Sequence, residues 1–175
     1  METMNKTMSE TVTRELVITR VFDVPRHLVY KAWTEQQRLE QWWGPKGLKL
    51  GVTRLDLRPG GLFHYVLHLP DGQKMWGRFV FSSLVEPERI VYISSFSDEA
   101  GGISRVPFSE AWPLEIHNTL TFTEQDGKTT LTQRSKPLHA TAEERKTFEE
   151  NIGSLQQGLA GTLDQLESYL ASGSK

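Results

Sequence analysis

His64 and His68 stand four residues apart in Leu62-Phe63-His64-Tyr65-Val66-Leu67-His68. On a β-strand that spacing puts both imidazoles on one face, where a third ligand would complete a metal site. The other face of the same stretch carries Phe63, Tyr65, Leu67 and Leu69. It is the more apolar face and is expected inside. The histidines are therefore expected in solvent, and neither a metal site nor a cofactor is predicted. His117 shares the polar side of its strand with Glu115, Thr119 and Thr121 and is read the same way. Arg78, Arg105 and Glu110 could orient a ligand at a cavity mouth, and each also reads as an ordinary surface charge. No Gly-Xaa-Ser-Xaa-Gly elbow is present. Gly60-Gly61 and Gly101-Gly102 are turn doublets rather than phosphate-cradling loops. A Ser-His-Asp triad stays open, because its members meet in space. No catalytic residue is assigned.

The informative set is aromatic. Phe63, Tyr65, Phe79, Phe81, Tyr92 and Phe96 fall at alternate positions of β-patterned stretches, and Trp42, Trp43 and Trp112 flank them. Such rings serve as ordinary core. They also suit a ring-lined pocket with polar tips such as Tyr65, Tyr92 and Asn118. The residues expected to line it are Trp43, Phe63, Tyr65, Leu67, Phe79, Phe81, Tyr92, Phe96, Trp112, Asn118 and Leu120, with Leu155 and Leu159 from a helix. The inward side of strand 73–84 is left open: Met75, Gly77, Phe79 and Phe81 share one face and Trp76 takes the other.

Positioning those residues requires a scaffold. From Thr141 to Leu170, apolar residues recur at Phe148, Ile152, Leu155, Leu159, Leu163, Leu166 and Leu170. Steps of three and four make one stripe of a single long α-helix. Thr141 with Glu144 has the form of a capping box. Gly153, Gly158 and Gly161 interrupt the helix, either to let its backbone pack closely on a sheet or to leave room for a ligand. Upstream, Glu15 to Asp23 reads as a strand, and Pro25 as a first helical position. Thr34 with Gln37 is a second capping-box form, so two short helices follow the first strand before Gly44-Pro45. Strands are expected over 48–57, 62–69, 73–84, 90–96, 114–123 and 128–135. Pro70-Asp71-Gly72 and Asp126-Gly127 mark hairpins. The irregular stretch 97–113 is expected as a binding loop or a surface excursion pinned by Phe108 and Trp112. Strands joined by tight turns form an antiparallel meander. The fold class is α+β: a curved antiparallel sheet wrapped around a long C-terminal helix.

Composition narrows the function. The chain has 175 residues, no cysteine, and a formal charge of −2 from 20 basic and 22 acidic side chains. A length of this kind fits one domain. Disulfides, thiolate metal sites and cysteine nucleophiles are excluded. Near-neutral charge gives no general pull toward nucleic acid or anionic membrane. No stretch approaches a membrane span. Residues 1–14 are polar, lack the apolar core of a signal peptide and are expected as a disordered tail before a single domain over 15–171. A cytoplasmic location is expected.

Three stretches early in the chain carry a resemblance: Val21-Phe22-Asp23-Val24-Pro25, Val29-Tyr30-Lys31-Ala32-Trp33-Thr34 and Leu39-Glu40-Gln41-Trp42-Trp43-Gly44-Pro45. With Pro59-Gly60-Gly61, Glu86-Pro87-Glu88-Arg89-Ile90-Val91-Tyr92 and Gly158-Leu159-Ala160-Gly161-Thr162-Leu163-Asp164-Gln165-Leu166, they resemble the activator of heat-shock-protein-90 ATPase-like family. That family belongs to the START/birch-pollen-allergen-like (SRPBCC) superfamily, and the resemblance covers roughly residues 15–171. It implies the helix-grip fold and a cavity between sheet and long helix for an apolar or aromatic small molecule or lipid. The family usually has proline where Gln36 stands, and often tryptophan near Ser94; a serine there implies a different ligand or a roomier pocket. Members of the superfamily bind lipids, hormones or polyketides, and a minority catalyse cyclisation or hydrolysis. The family name comes from proteins that bind a chaperone and carry a second domain, which this chain is read as lacking. Small-molecule binding is therefore the expected function. The alternatives are an enzyme that uses the same cavity, with Tyr65, His64 or Glu110 as first candidates, and a chaperone-binding module. No sequence feature decides whether the protein is a homodimer.

Overall fold

The computed structural model describes residues 14–106 and 109–172. Residues 1–13 of the expected tail and Phe108, expected to pin the long loop, lie outside them. The elements run β1 (Leu16–Phe22), α1 (Arg26–Thr34), α2 (Gln36–Trp42), β2 (Lys49–Leu55), β3 (Leu62–His68), β4 (Lys74–Val85), β5 (Arg89–Phe96), β6 (Glu115–Gln125), β7 (Lys128–Leu138), α3 (Ala142–Glu150) and α4 (Ile152–Ala171). The seven strands form one curved antiparallel sheet in the order β1-β7-β6-β5-β4-β3-β2. This is the expected α+β helix-grip architecture. Strands β2 to β7 are a meander, joined by short connections except for the long loop between β5 and β6. At the β6–β7 hairpin, Asp126 and Gly127 both have positive φ (54° and 75°), as a turn matched to the strand twist requires. β1 lies against β7 at one edge and β2 forms the other, so the chain must cross the end of the sheet between them. The two short helices make that crossing: α1 packs on β6 and β7, and α2 on β2.

Strand alternation sorts the side chains as expected. Phe22, Phe63, Phe79, Phe81, Ile90, Leu120, Phe122 and Leu131 all face the core and are at most 5% exposed. The open question about β4 resolves toward the Gly77, Phe79 and Phe81 face, which is buried, while Trp76 and Arg78 lie on the outer side. A bulge between Phe81 and Ser83 then turns Leu84 inward against the core.

The helices depart from the sequence reading in three places. Thr34 does not cap α2. It is the last residue of α1, and its hydroxyl donates back to the Tyr30 carbonyl (2.9 Å), so Glu35 holds the cap position without a side-chain bond. Pro25 is the cap residue of α1 rather than its first helical residue, with an extended ψ of 151°. Most consequentially, the C-terminal helix is two helices. The capping box at Thr141 is present in both directions, with Glu144 N–H on Thr141 Oγ1 (3.1 Å) and Thr141 N–H on Glu144 Oε1 (2.9 Å). The ladder breaks at Asn151 (φ −105°, ψ 5°). There the main-chain N–H donates to the Phe148 carbonyl (3.0 Å) and the side-chain Nδ2 to the Thr147 carbonyl (2.8 Å). A side chain that takes a helical carbonyl competes with the helix itself.

α4 is 20 residues, a rod of about 30 Å. It is tied down along its length. Arg20 on β1 pairs with Asp164 (2.9 Å) and Glu167 (3.3 Å), and Gln156 Nε2 donates to the Val17 carbonyl (3.0 Å). From the other side, Thr162 and Gln165 donate to the Gly44 carbonyl (3.1 and 2.6 Å). Close packing does not explain the helix glycines: a Cβ at Gly153, Gly158 or Gly161 would meet no atom within 4 Å. Gly158, exposed in mid-helix, therefore carries the propensity cost without a packing return. Gly158→Ala is expected to stabilise the fold by about 0.5–1 kcal/mol, read from the urea midpoint.

Candidate ligand-binding site

The apolar stripe of the C-terminal helices is unevenly buried. Phe148 and Ile152 at one end, and Leu163, Leu166 and Leu170 at the other, are between 0 and 7% exposed. Leu155 and Leu159, between them, remain only partly covered. The sheet is curved and the helix pinned at intervals, so the two part company under the middle of the stripe. Two adjoining spaces open there, and Phe96 and Trp112 border both. The inner one, about 90 Å³, is bounded by Tyr65, Ser94, Ser95, Phe96, Trp112, Pro113 and Ile116. The outer one, about 370 Å³, runs between Phe96, Ser109 and Trp112 on the loop side and Thr147, Asn151, Ser154 and Leu155 at the α3–α4 junction. The helix break thus forms the mouth.

The loop that carries Trp112 is strapped to the start of α3. Arg105 Nη1 donates to the carbonyls of Glu110 (3.1 Å) and Trp112 (3.0 Å) and to Glu144 Oε2 (2.8 Å). Glu144 thereby serves the capping box with one oxygen and the loop with the other. The Thr141 N–H first, then Arg105, hold its carboxyl below the usual carboxylate range. Trp112 in turn packs on Phe148 at 6.0 Å between ring centroids.

On the sheet side, Tyr65 lies across Gly77 on the neighbouring strand, where a Cβ would overlap its Cζ and Oη. Trp43 (4.7 Å), Phe63 (5.1 Å) and Phe79 (5.8 Å) enclose the ring. Phe79 stacks on Tyr92 at 4.0 Å. Burial pushes both phenols, Tyr65 and Tyr92, well above the ordinary tyrosine pKa, and Tyr65 adds to the shift at Tyr92. Both hydroxyls stay neutral at any physiological pH.

Of the residues expected to line a pocket, Tyr65, Phe96, Trp112 and Leu155 border the two spaces. Leu159 packs beside them between the two apolar clusters. Trp43, Phe63, Leu67, Phe79, Phe81, Tyr92 and Leu120 lie behind, in the main core. Asn118 is buried and hydrogen-bonded to Ser94 (2.9 Å). Ile116, Thr147, Asn151 and Ser154 join the lining without having been expected there. The signal for the last two was the pairing of Asn151 with Gly153, both weak helix formers, inside an otherwise strong stripe.

His64 is a correction. It faces away from the core, as strand parity requires, but it is 6% exposed rather than solvated. The segment after β5 folds back over the sheet, with Ser97 N–H on the Trp76 carbonyl (3.1 Å). His64 Nε2 donates to the Asp98 carbonyl (3.1 Å), Nδ1 meets Thr53 Oγ1 (2.6 Å), and the ring stacks on Trp76 (5.2 Å). It is on the opposite face from the pocket and cannot act in it. His68 is exposed as expected. Arg78 is also on the outer face, bonded to the Gly101 carbonyl (2.9 Å), and Glu110 is exposed. Among the described residues no group of three histidine or acidic side chains could hold a metal, and no helix is long and apolar enough to cross a membrane.

A family model described as Activator of Hsp90 ATPase homolog 1-like protein matches residues 23–171. A search of curated proteins finds no match. Among solved structures, the fold is similar to protein Ms6760 from Mycobacterium smegmatis, at 30% identity and a TM-score of 0.72, over 90% of this chain and 91% of that one. It is similar to protein NE0264 from Nitrosomonas europaea at 27% identity and a TM-score of 0.70, over 90% and 94%. A protein from Arthrobacter aurescens, at 23% identity, shares the fold with a TM-score of 0.75 over 90% and 86%.

Proposed function

This chain belongs to the Activator of Hsp90 ATPase homolog 1-like family, and on that premise we propose that it binds an apolar or aromatic small molecule between its sheet and its C-terminal helix. One observation carries the reading. A helix whose stripe is fully buried at both ends leaves Leu155 and Leu159 half-covered in the middle, opposite Phe96 and Trp112. Apolar side chains that converge on an unfilled space gain by being covered, at about 25 cal/mol per Å² of apolar surface removed from water. The two spaces together offer room for an aromatic body of one or two rings. The chemistry favours binding over acid–base catalysis: among the described residues, the titratable side chain that borders either space is Tyr65, and burial keeps it neutral.

Leu155→Trp is the direct test, because its indole would occupy the outer space. The wild-type protein is expected to gain stability from an aromatic probe such as 2-acetylnaphthalene, by about 2.7 kcal/mol at one hundred times Kd. The variant should keep its own Tm and lose that gain. A wild-type protein that neither retains a small molecule in native mass spectrometry nor shifts with apolar, fatty-acid or aromatic probes would overturn the reading.

A further inference from the structure

Resting on that reading, we infer that the inner space selects an uncharged ligand bearing a carbonyl oxygen, and that the Ser94 hydroxyl is the donor that reads it. The inference comes from following one chain of hydrogen bonds across the concave face of the sheet. It runs Gln133 and Ser135 on β7, Asn118 on β6, Ser94 on β5.

Its direction is set at one point. Asn118 Nδ2 sits 3.0 Å from the Ile116 carbonyl and 3.5 Å from the Tyr92 carbonyl. Carbonyls only accept, so the amide nitrogen must be the atom on that side. The same nitrogen lies 2.9 Å from Ser94 Oγ, which therefore accepts from it. At the other end of the amide, Asn118 Oδ1 can only accept, so Ser135 Oγ donates to it (2.6 Å). With its proton committed, Ser135 Oγ accepts from Gln133 Nε2 (3.2 Å). Every bond points the same way, from β7 toward β5, with Ser135 as relay.

The consequence falls on the last member. Ser94 Oγ accepts from Asn118 and makes no other hydrogen bond among the described residues, so its own proton is unspent. Ser94 borders the inner space. Ser94 is half-buried, and a ligand that covers it gains by supplying an acceptor, because covering the hydroxyl without one would be costly. The direction is held at Asn118, whose Nδ2 faces the Ile116 and Tyr92 carbonyls; at the far end of the chain Gln133 Oε1 is buried without a partner. Tyr65, two strands away on the same face of the sheet, brings a second hydroxyl that stays neutral and has no hydrogen-bond partner among the described residues.

Ser94 and Tyr65, beside Phe96, Trp112, Pro113 and Ile116, present hydroxyl donors to an acceptor, and Ser95 adds to the polar lining. Among the described residues no cation borders either space, so a carboxylate head would be buried without a counter-charge, which is costly. An uncharged ketone, aldehyde or ester fits both conditions. Its carbonyl would enter the inner space, and its aromatic body would lie in the outer one between Trp112 and Leu155.

The test compares three probes of one shape: 2-acetylnaphthalene, 2-ethylnaphthalene and 2-naphthoate, titrated by amide chemical shift. The wild-type protein should bind the ketone about five- to tenfold more tightly than the hydrocarbon, the worth of one hydrogen bond, and more tightly than the carboxylate. Ser94→Ala should erase the ketone's advantage and leave the hydrocarbon's Kd unchanged; Ser94→Thr, which keeps a hydroxyl, should retain it. Equal affinity for ketone and hydrocarbon in the wild type overturns the inference and leaves the pocket standing. A preference that survives Ser94→Ala overturns the role of Ser94, and tighter binding of the carboxylate overturns the ligand class. Binding of none of the three overturns the pocket reading on which the inference rests.

Discussion

Gly77→Ala is expected to destabilise the fold by about 1–3 kcal/mol, the usual cost of overpacking a filled core, and to abolish binding of aromatic probes. The added methyl carbon would occupy the position of the Tyr65 ring end. A tyrosine tip can often swing aside at little cost, but here Trp43, Phe63 and Phe79 hem the ring at centroid distances of 4.7, 5.1 and 5.8 Å. The open direction is the inner space that Tyr65 borders. The ring must therefore move into the volume a ligand would use, so one substitution lowers stability and closes the site together. Chemical denaturation reads the first effect and the naphthalene titration the second. Gly77→Ala/Tyr65→Ala separates them: removing the ring should restore room for the probe even if stability stays low. A double variant that still fails to bind, though folded, would show that Tyr65 displacement is not what closes the pocket.

The contrast between Gly77 and the helix glycines shows what a sequence can carry. All of them interrupt a patterned element, and all invite the same explanation of close approach. Only at Gly77 does a neighbouring ring occupy the missing side chain's place; at Gly153, Gly158 and Gly161 nothing is near. The difference is set by a cross-strand partner, Tyr65, which the local pattern around each glycine does not contain. The antiparallel meander and the inward ring set were legible because period-2 alternation and turn residues are local signals; the pairing of β1 with β7 was not. The break at Asn151 was not. The stripe steps from Phe148 to Ile152 to Leu155 without losing phase, so hydrophobic periodicity runs unbroken across it. What breaks is the hydrogen-bond ladder, where Asn151 turns its side chain onto Thr147.

His64 and the site itself make the same point from the two faces of the sheet. Parity correctly put His64 outside, but whether an outer residue meets water depends on a loop thirty-four positions away closing over it. Parity also put Tyr65, Tyr92, Phe96 and Asn118 inside. It could not say which of them would pack solidly and which would border a space, because that depends on how far the helix stands off the sheet. That distance is settled by Arg20, Gln156, Thr162 and Gln165, polar residues on other elements whose partners are invisible to a hydrophobic pattern.

Asn118→Leu is the sharpest probe of the polar chain behind the pocket, with an expected loss of about 2–4 kcal/mol, the range for disrupting a buried hydrogen-bond network and crowding its site. Leucine gives nothing to Ser94 or to the Ile116 carbonyl, and it removes the acceptor of the Ser135 proton in a residue only 5% exposed. The network reading makes a stronger claim than simple destabilisation. In the Asn118→Leu background, Ser135→Ala removes a donor that has lost that acceptor and should recover about 1 kcal/mol, whereas in the wild type the same change costs stability because Asn118 Oδ1 loses its partner. The sign of the Ser135→Ala effect thus reverses with residue 118, a coupling of at least about 1 kcal/mol in a double-mutant cycle. Additive losses would mean the four side chains act separately. The unspent proton at Ser94 would then be an accident of packing rather than the end of a directed chain.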